Sequence, residues 1–271
     1  MHEVVRNQRK FVEILKEIPQ SVWDRVVKKA PEWQNLVSFS DLYGFGPFSV
    51  LMLVIGLNAY QLKGRAEVAY FPKIRELLER YPAPRTPREL LKLLNLFYAH
   101  ERLNRKKVQR LDKVLRSPLA SYLWESSPEE ISSNFMRIWG EVTQLMGQRP
   151  QDKTIAFAMK CLGLSLLMEE DHTFDFSTIP IPVDSRVAKL TQRAVLCINM
   201  TDQEIRAVWN EILSDLQRTL PRITMIHLDS LVWQIASLQE SELRDYFKTL
   251  GIDNVGNNVL TFLQSNKRYT V

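Results

Sequence analysis

The chain has 271 residues, of which 45% are hydrophobic and 25% charged, a balance typical of folded globular proteins that excludes intrinsic disorder. Lys and Arg outnumber Asp and Glu by 36 to 31, which is compatible with a polyanionic partner but is also common in proteins that have none. Two cysteines, Cys161 and Cys197, are too few for a disulfide framework, a zinc site or an iron–sulfur cluster, and the histidines lack metal-ligand spacing. We therefore expect neither a metal nor a cofactor.

The longest nearly apolar run, from Phe48 to Leu57, covers 10 positions, well short of the ~18 that a membrane span requires. The first ten residues are polar and charged where a secretory signal needs an apolar stretch. These two features predict a cytoplasmic protein without a membrane segment.

Apolar residues recur at intervals of three and four along almost the whole chain, with almost no period-two alternation and only nine glycines. This pattern predicts an all-α fold. In chain order, helices are expected at residues 3–17, 20–29, 45–60, 65–81, 87–98, 104–115, 128–145, 152–168, 185–196, 202–219, 227–237, 240–249 and 256–264.

Some helix starts carry explicit signals. Thr86, Ser127 and Thr201 each precede a Glu by three residues, which predicts the reciprocal bonding of a capping box. Further along, the Gly-Gln-Arg-Pro sequence at 147–150 separates two helices and predicts a tight hairpin spanning about 128–168.

The segment 176–184 cannot be helical, because Pro180 and Pro182 each push the preceding residue into an extended conformation. It delivers Asp184 to the start of the next helix, where an aspartate is a preferred N-cap. Helix capping alone is a sufficient explanation for an aspartate at position 184 from the local sequence. A carboxylate held at a helix start by a stiff arm is also well placed for catalysis.

One helix face combines an aromatic residue with two lysines, because Lys153, Phe157 and Lys160 recur at helical spacing. A solvated helix face is the ordinary explanation of this pattern. Lys153 stands at the helix start, where the positive end of the helix dipole favours a neutral amine. A neutral lysine amine is a nucleophile.

Two further stretches have both an ordinary and a functional interpretation. Asp229 and Trp233 share a helix face one turn apart, although a Trp in a helical protein usually belongs to the core. Basic residues are concentrated between 102 and 116, where Arg105, Lys106 and Lys107 are consecutive. This run is the best phosphate-binding candidate on charge grounds, with a solvated helix face as the alternative.

Three segments together carry a family resemblance: Gln151–Lys160, Ile179–Thr191 and His227–Trp233. In this order and at about this spacing, they resemble the three signature blocks of the archaeal GO glycosylases, a divergent branch of the helix-hairpin-helix DNA glycosylases. Weaker similarity runs upstream through Tyr60–Gly64 and Asn104–Lys107. The resemblance therefore covers most of the chain from about residue 30 to 240.

The resemblance implies an all-α helix-hairpin-helix glycosylase fold, built as a single unit over residues 1–271 with two helical subdomains that flank an active-site cleft. It implies a DNA repair enzyme, a DNA N-glycosylase and abasic-site lyase that excises 8-oxoguanine and then cleaves the strand. The expected partner is double-stranded or single-stranded DNA that contains a damaged base. We expect a monomer that works without a cofactor at the nucleoid, in the cytoplasm of a prokaryotic cell.

The resemblance also implies roles for individual residues. Lys153 attacks C1′ of the flipped nucleotide to form a Schiff base, which undergoes β-elimination, and Asp184 stabilises the developing sugar cation. The residues expected to contact the flipped base are Phe157, Lys160, Asp229, Trp233 and Gln34. The hairpin with Gly147 and Arg149 is expected to hold DNA phosphate through backbone N–H groups.

Three departures from the family pattern bear on the expected substrate. Val68 stands where the family commonly has a further Trp, Glu32 stands where it has a base-reading Gln, with Gln34 nearby, and the hairpin lacks paired glycines. A family member with altered lesion range is therefore the first alternative.

Two different classes of protein also fit parts of the sequence. A non-catalytic helical DNA-binding protein has no need of both Lys153 and Asp184 at these positions. A helical scaffold that binds proteins leaves the basic run at 102–116 unexplained.

Overall fold

The computed structural model describes residues 2–169 and 173–266, and within these ranges the chain forms α-helices and no strand. The predicted all-α fold class is therefore confirmed. The helices are α1 His2–Lys16, α2 Gln20–Lys28, α3 Pro31–Leu36, α4 Ser40–Tyr43, α5 Phe45–Asn58, α6 Phe71–Arg80, α7 Pro87–Tyr98, α8 Asn104–Leu115, α9 Pro118–Glu125, α10 Pro128–Ser133, α11 Phe135–Met146, α12 Lys153–Met168, α13 Ser185–Arg193, α14 Asp202–Gln217, α15 Met225–Ile235, α16 Glu240–Thr249 and α17 Asp253–Ser265. A 3-10 turn at Val37–Phe39 and a π-helical turn at Ala66–Tyr70 complete the helical elements of the described ranges.

The chain divides into two compact units. Unit 1 comprises Met1–Ala30 and Pro180–Val271, of which positions 2–30 and 180–266 are described, and it contains α1, α2 and α13–α17. Unit 2 comprises Pro31–Ile179 and contains α3–α12. The single unit that we expected over residues 1–271 stays a prediction.

The helix prediction was wrong in a few places. The short helices α3, α4 and α9 were not predicted, because four to eight residues are too few to show a helical period. The helix expected at 128–145 is interrupted at Asn134, where α10 ends and α11 begins. The side-chain amide of Asn134 donates to the carbonyl of Glu130 at 2.9 Å, so a side chain competes with the backbone for helical acceptors.

Of the three predicted capping boxes, only the one at Ser127 is reciprocal. Its hydroxyl accepts from the N–H of Glu130 at 3.3 Å, and the Glu130 carboxylate accepts from the N–H of Ser127 at 2.8 Å. Thr86 and Thr201 cap their helices as predicted. The Glu three residues further on accepts instead from an N–H that lies one or two residues upstream of the cap.

Unit 2 is built around α12, which packs along α5. A solvated face with Lys153, Phe157 and Lys160, the ordinary explanation given above, would leave one side of α12 exposed along its length. The structure instead buries α12 on nearly all sides between Ile155 and Leu166, and its exposed or partly exposed residues lie in its first two turns and at its last two positions. Gly56 of α5 permits this close packing, because an added Cβ at that position would lie 2.8 Å from the Cα of Ala158.

Unit 1 has its own aromatic core. Phe11 of α1 stacks on Phe262 of α17 with ring centroids 5.3 Å apart and meets the ring of Trp209 edge-on at 6.0 Å. The indole N–H of Trp209 donates to the hydroxyl of Thr191 at 2.9 Å, which ties α14 to α13. No helix in the described ranges is long and apolar enough to span a bilayer.

We predict that Gly56→Ala destabilises the protein by about 1–3 kcal/mol, because the new methyl group overpacks the contact between α5 and α12. Gly140→Ala is the matched control, since Gly140 is also helical but is exposed, with open space around the added methyl group. The control should stabilise the protein by up to about 1 kcal/mol through helix propensity. Chemical denaturation of both variants measures the difference, and equal effects would contradict the close-packing argument.

Candidate active site

Lys153 is the first residue of α12 and is exposed. Helix geometry leaves the N–H groups of the first turn without acceptors inside the helix, so the positive end of the α12 dipole lies at this lysine. The body of α12 is buried, which fixes where its first turn lies. Unit 2 therefore presents a primary amine at a rigid, electropositive helix start.

Lys160 lies two turns further along α12 and is buried, with 3% of the residue exposed. Its ammonium pairs with the carboxylate of Glu32 at 3.5 Å and lies 5.6 Å from the centre of the Phe157 ring. Glu32 is equally buried, whereas Phe157 is partly exposed. The ordinary explanation of this stripe as a solvated face is therefore wrong for Lys160.

Gln34 and Glu32 of α3 differ in burial, and the expected contact of Gln34 with the base stays a prediction. Residues two apart on a helix point in nearly opposite directions, so Gln34 of α3 is exposed while Glu32 is buried against Lys160. Glu32 thus brings a carboxylate of α3 to the buried ammonium of Lys160 on α12. Val68, at the position of the family's further Trp, is 66% exposed.

The hairpin turn between α11 and α12 is internally bonded. Gly147 ends α11 in the left-handed conformation at φ +63°. The N–H groups of residues 147 and 148 donate to carbonyls of α11, and the N–H of Arg149 donates to the Asp152 carboxylate at 3.1 Å. The Arg149 guanidinium also reaches this carboxylate, at 3.0 Å. The backbone donors around Gly147 and Arg149 are thus occupied within the turn.

Arg110 of α8 connects this turn to the first turn of α12. Its guanidinium donates to the side-chain oxygen of Gln148 at 2.7 Å and to the hydroxyl of Thr154 at 3.2 Å. The Thr154 hydroxyl donates in turn to Gln148 at 3.1 Å, and the guanidinium lies 4.9 Å from the centre of the Tyr60 ring. In the sequence Arg110 is only one member of a basic run, and no local signal predicts its position at this turn.

The basic run divides into exposed and buried members. Arg105 and Lys106 are exposed on α8, as a phosphate-binding role requires. Lys107 is fully buried, pairs with Glu101 at 3.4 Å and lies 5.3 Å from the centre of the Tyr60 ring. Burial lowers the pKa of Lys107, and Glu101 opposes that shift. The expectation that Lys107 contacts DNA is therefore wrong, because its ammonium is neither accessible nor free of an ion pair.

In unit 1, Asp184 is the N-cap of α13, as predicted. One carboxylate oxygen, Oδ1, accepts from the backbone N–H groups of Arg186 at 2.8 Å and of Val187 at 2.9 Å. The other oxygen, Oδ2, accepts from the indole N–H of Trp233 at 3.2 Å. Capping thus occupies only one of the two oxygens.

Trp233 and Asp229 both lie on α15. Trp233 is partly exposed, unlike the core residues Trp23 and Trp209, so it is not a typical buried core Trp. The Arg186 guanidinium stacks on its indole at 3.7 Å from the ring centre. Asp229 is buried, with 2% of the residue exposed.

The predicted site residues are divided between the units. Unit 2 contains Lys153, Phe157, Lys160 and Gln34 together with the hairpin and the basic helix, and unit 1 contains Asp184, Asp229 and Trp233. Within unit 2, Lys160 pairs with Glu32 and lies near Phe157, and within unit 1, Trp233 donates to Asp184. Among the described residues no cluster of three or more His, Cys, Asp or Glu is suited to a metal ion.

Comparison with known proteins identifies the family. The AGOG family profile, described as N-glycosylase/DNA lyase, matches residues 12–268. An N-glycosylase/DNA lyase from Methanopyrus kandleri is 28% identical over 189 residues, which cover 68% of this chain and 70% of that protein. A crystal structure of an 8-oxoguanine DNA glycosylase from Pyrobaculum aerophilum, complexed with 8-oxoguanosine, matches with a TM-score of 0.71 at 18% identity and covers 96% of both chains.

The chain belongs to the AGOG family of N-glycosylase/DNA lyases. It is therefore an enzyme of the DNA glycosylase/lyase class, as the sequence predicted, with the helical fold of that family.

We predict that Lys160→Met destabilises the protein by about 3–5 kcal/mol, because it leaves the buried Glu32 carboxylate without its ammonium. Lys153→Met, on the exposed end of the same helix, should change the free energy of unfolding by less than about 0.5 kcal/mol. Denaturant titration measures both. A Lys160 variant as stable as the Lys153 variant would contradict the structural role of the ion pair.

Proposed function

We propose that this enzyme excises 8-oxoguanine from DNA through a Schiff base on Lys153 and then cleaves the strand by β-elimination. The observation that carries the proposal is the position of Lys153, an exposed amine at the start of an otherwise buried helix, within the segment that resembles the family's first signature block. The names of the two relatives, an N-glycosylase/DNA lyase and an 8-oxoguanine DNA glycosylase, support it.

The chemistry needs a neutral amine and a path for protons. The Lys153 nitrogen attacks C1′ as the bond between C1′ and the base breaks, and the departing base takes the bonding electrons and then a proton. The nitrogen then loses one proton, and its lone pair forms the C=N bond as the C1′–O4′ bond breaks. O4′ takes up a proton, the sugar ring opens, and the protonated imine results. Removal of a proton from C2′ then expels the 3′-phosphate, which cleaves the strand.

We propose that the Asp184 carboxylate stabilises the sugar cation and supplies the path for protons. A carboxylate stabilises positive charge that develops on the sugar as the base departs, and it transfers protons between the base, the amine and C2′. The helix cap holds only Oδ1 of Asp184, which leaves Oδ2, with the indole N–H as its partner, for this task.

Base recognition is proposed for the aromatic and polar residues of the same motifs. Phe157 and Trp233 each offer an aromatic face for stacking, which is worth about 1–3 kcal/mol per base. Lys160, with its partner Glu32, and Asp229 offer polar atoms for the edge of the base. Because the buried Glu32 carboxylate can only accept hydrogen bonds, an altered lesion range is the second candidate.

DNA binding is proposed for the exposed part of the basic helix and for the hairpin. Arg105 and Lys106 neutralise backbone phosphates. The turn at Gly147 and Arg149 leads into the first turn of α12, which lies at the positive end of that helix's dipole. We propose that the enzyme acts as a monomer on damaged DNA in the cytoplasm, at the nucleoid.

Borohydride trapping should link the wild-type protein to an oligonucleotide duplex that contains 8-oxoguanine, because borohydride reduces the imine to a stable amine. Lys153→Gln should abolish the trapped complex, since it lacks the nucleophile. Lys92→Gln is the matched control, because Lys92 is an exposed helical lysine of the same unit outside the motifs. Undiminished trapping by Lys153→Gln would assign the nucleophile to another lysine.

The same trapping assay on duplexes with different lesions decides the substrate. Among duplexes with a damaged base, we expect 8-oxoguanine to give the fastest trapping, and a faster reaction with another oxidised base would favour the altered lesion range. Trapping of none of them by a folded wild-type protein would contradict the proposed activity.

We predict that Arg105→Gln combined with Lys106→Gln weakens binding to damaged and undamaged duplexes alike. The slope of log K against log salt should flatten by about 0.9 for each lost phosphate contact. The control is Lys73→Gln combined with Arg75→Gln, which removes two exposed charges from α6 of the same unit. Binding titrations at several salt concentrations measure the slopes. Equal slopes for both double variants would contradict the phosphate contacts and leave the basic residues of α8 as an ordinary solvated helix face.

A further inference from the structure

We propose that Trp233 is a positioning residue for Asp184, in addition to the stacking surface that the proposed function gives it. The indole N–H of Trp233 donates to Oδ2 of Asp184 at 3.2 Å, across from α15 to the start of α13. This inference rests on the proposed catalytic role of Asp184. It assigns to the edge of the indole a task that stacking alone does not require.

The two oxygens of Asp184 are held by different structures. Oδ1 is held by two backbone N–H groups at the start of α13, and these bonds alone permit the carboxylate to rotate around that anchored oxygen. The bond from Trp233 to Oδ2 removes this freedom. Three donors therefore define both the position and the plane of the carboxylate.

The indole is itself held in place. The guanidinium of Arg186, two residues after Asp184, stacks 3.7 Å from the centre of the Trp233 ring. The backbone N–H of the same Arg186 bonds Oδ1 of Asp184. The first turn of α13 thus holds the carboxylate with its backbone and the indole with a side chain, so that Asp184 and Trp233 keep a constant relative orientation.

The two tasks of Trp233 do not compete, because they use different parts of the ring. The N–H lies in the ring plane and points at Asp184, while a base stacks on a face. One face already carries Arg186, so a stacked base takes the opposite one. Binding of the base on that face leaves the bond to Asp184 intact, and the carboxylate keeps its orientation through the reaction.

The test is Trp233→Phe, which keeps an aromatic face and removes the N–H. Under single-turnover conditions with an 8-oxoguanine duplex, the rate constant of base excision should fall about 10- to 100-fold, because the carboxylate loses its fixed plane. The dissociation constant for the same duplex should change by less than about threefold, since stacking remains. A fall in affinity with an unchanged rate constant would leave only the stacking role.

A double-mutant cycle shows whether the effect passes through Asp184. Asp184→Asn can still cap α13 with its amide oxygen, but its NH₂ group cannot accept from the indole, and its rate constant should fall at least about 100-fold. Adding Trp233→Phe to this variant should cost less than about twofold more. An equal fold-loss in both backgrounds would overturn the proposal.

Trp209→Phe is the matched control for fold. The Trp209 indole also donates to α13, at 2.9 Å to the Thr191 hydroxyl, but no carboxylate is involved. This variant should lower the melting temperature and leave the excision rate constant of the folded protein within about twofold. A rate loss equal to that of Trp233→Phe would attribute both losses to the packing of α13 and overturn the positioning role.

A measurement that needs no activity separates this proposal from the proposed function. In ¹⁵N-labelled protein, the indole N–H resonance that disappears in Trp233→Phe should shift in Asp184→Asn, because the amide NH₂ cannot accept from the indole. An unchanged resonance in Asp184→Asn would show that the bond is absent in solution and overturn the proposal. Failure of the wild-type protein to form a trapped complex would instead refute the proposed lyase activity.

Discussion

The burial of α12 is the constraint on which unit 2 depends. From Ile155 to Leu166 the helix has no solvated face, and its contact with α5 is close enough to require Gly56. A helix packed in this way has neither rotational nor translational freedom. The position of its first residue, Lys153, is therefore set by the packing of the rest of the helix, and a flexible side chain extends from a fixed backbone position.

The two buried lysines of unit 2 are paired with carboxylates rather than solvated. Lys160 with Glu32 and Lys107 with Glu101 are ion pairs in which each lysine is buried, and isolated charges at such depth are strongly disfavoured. In unit 1 the Asp184 carboxylate is compensated by three N–H donors instead of a cation. The exposed amine of Lys153 and the Asp184 carboxylate, which three donors hold, therefore differ in mobility. This difference supports the proposed roles of Lys153 as a mobile nucleophile and of Asp184 as a fixed carboxylate.

Local sequence was sufficient to predict what depends on local interactions. The all-α class, the hairpin before α12 and the cap at Asp184 follow from helical periodicity, glycine and proline, which act within a few residues. The pairing of Lys160 with Glu32 and the burial of Lys107 depend on contacts between helices far apart in the chain, and no local pattern reports them. The stacking of Arg186 on Trp233 could not be predicted for the same reason. The family resemblance selected Lys153 and Asp184 where spacing alone left ordinary explanations open.

The hairpin between α11 and α12 has a thermodynamic consequence. Its backbone donors at residues 147–149 are bonded within the turn, and Arg110 holds both Gln148 and Thr154 from a neighbouring helix. The turn therefore loses its conformational entropy when the protein folds rather than when DNA arrives. In the proposed DNA-binding role, contacts of this segment add to affinity without an ordering cost, and the heat capacity of DNA binding should contain no component from folding of the turn.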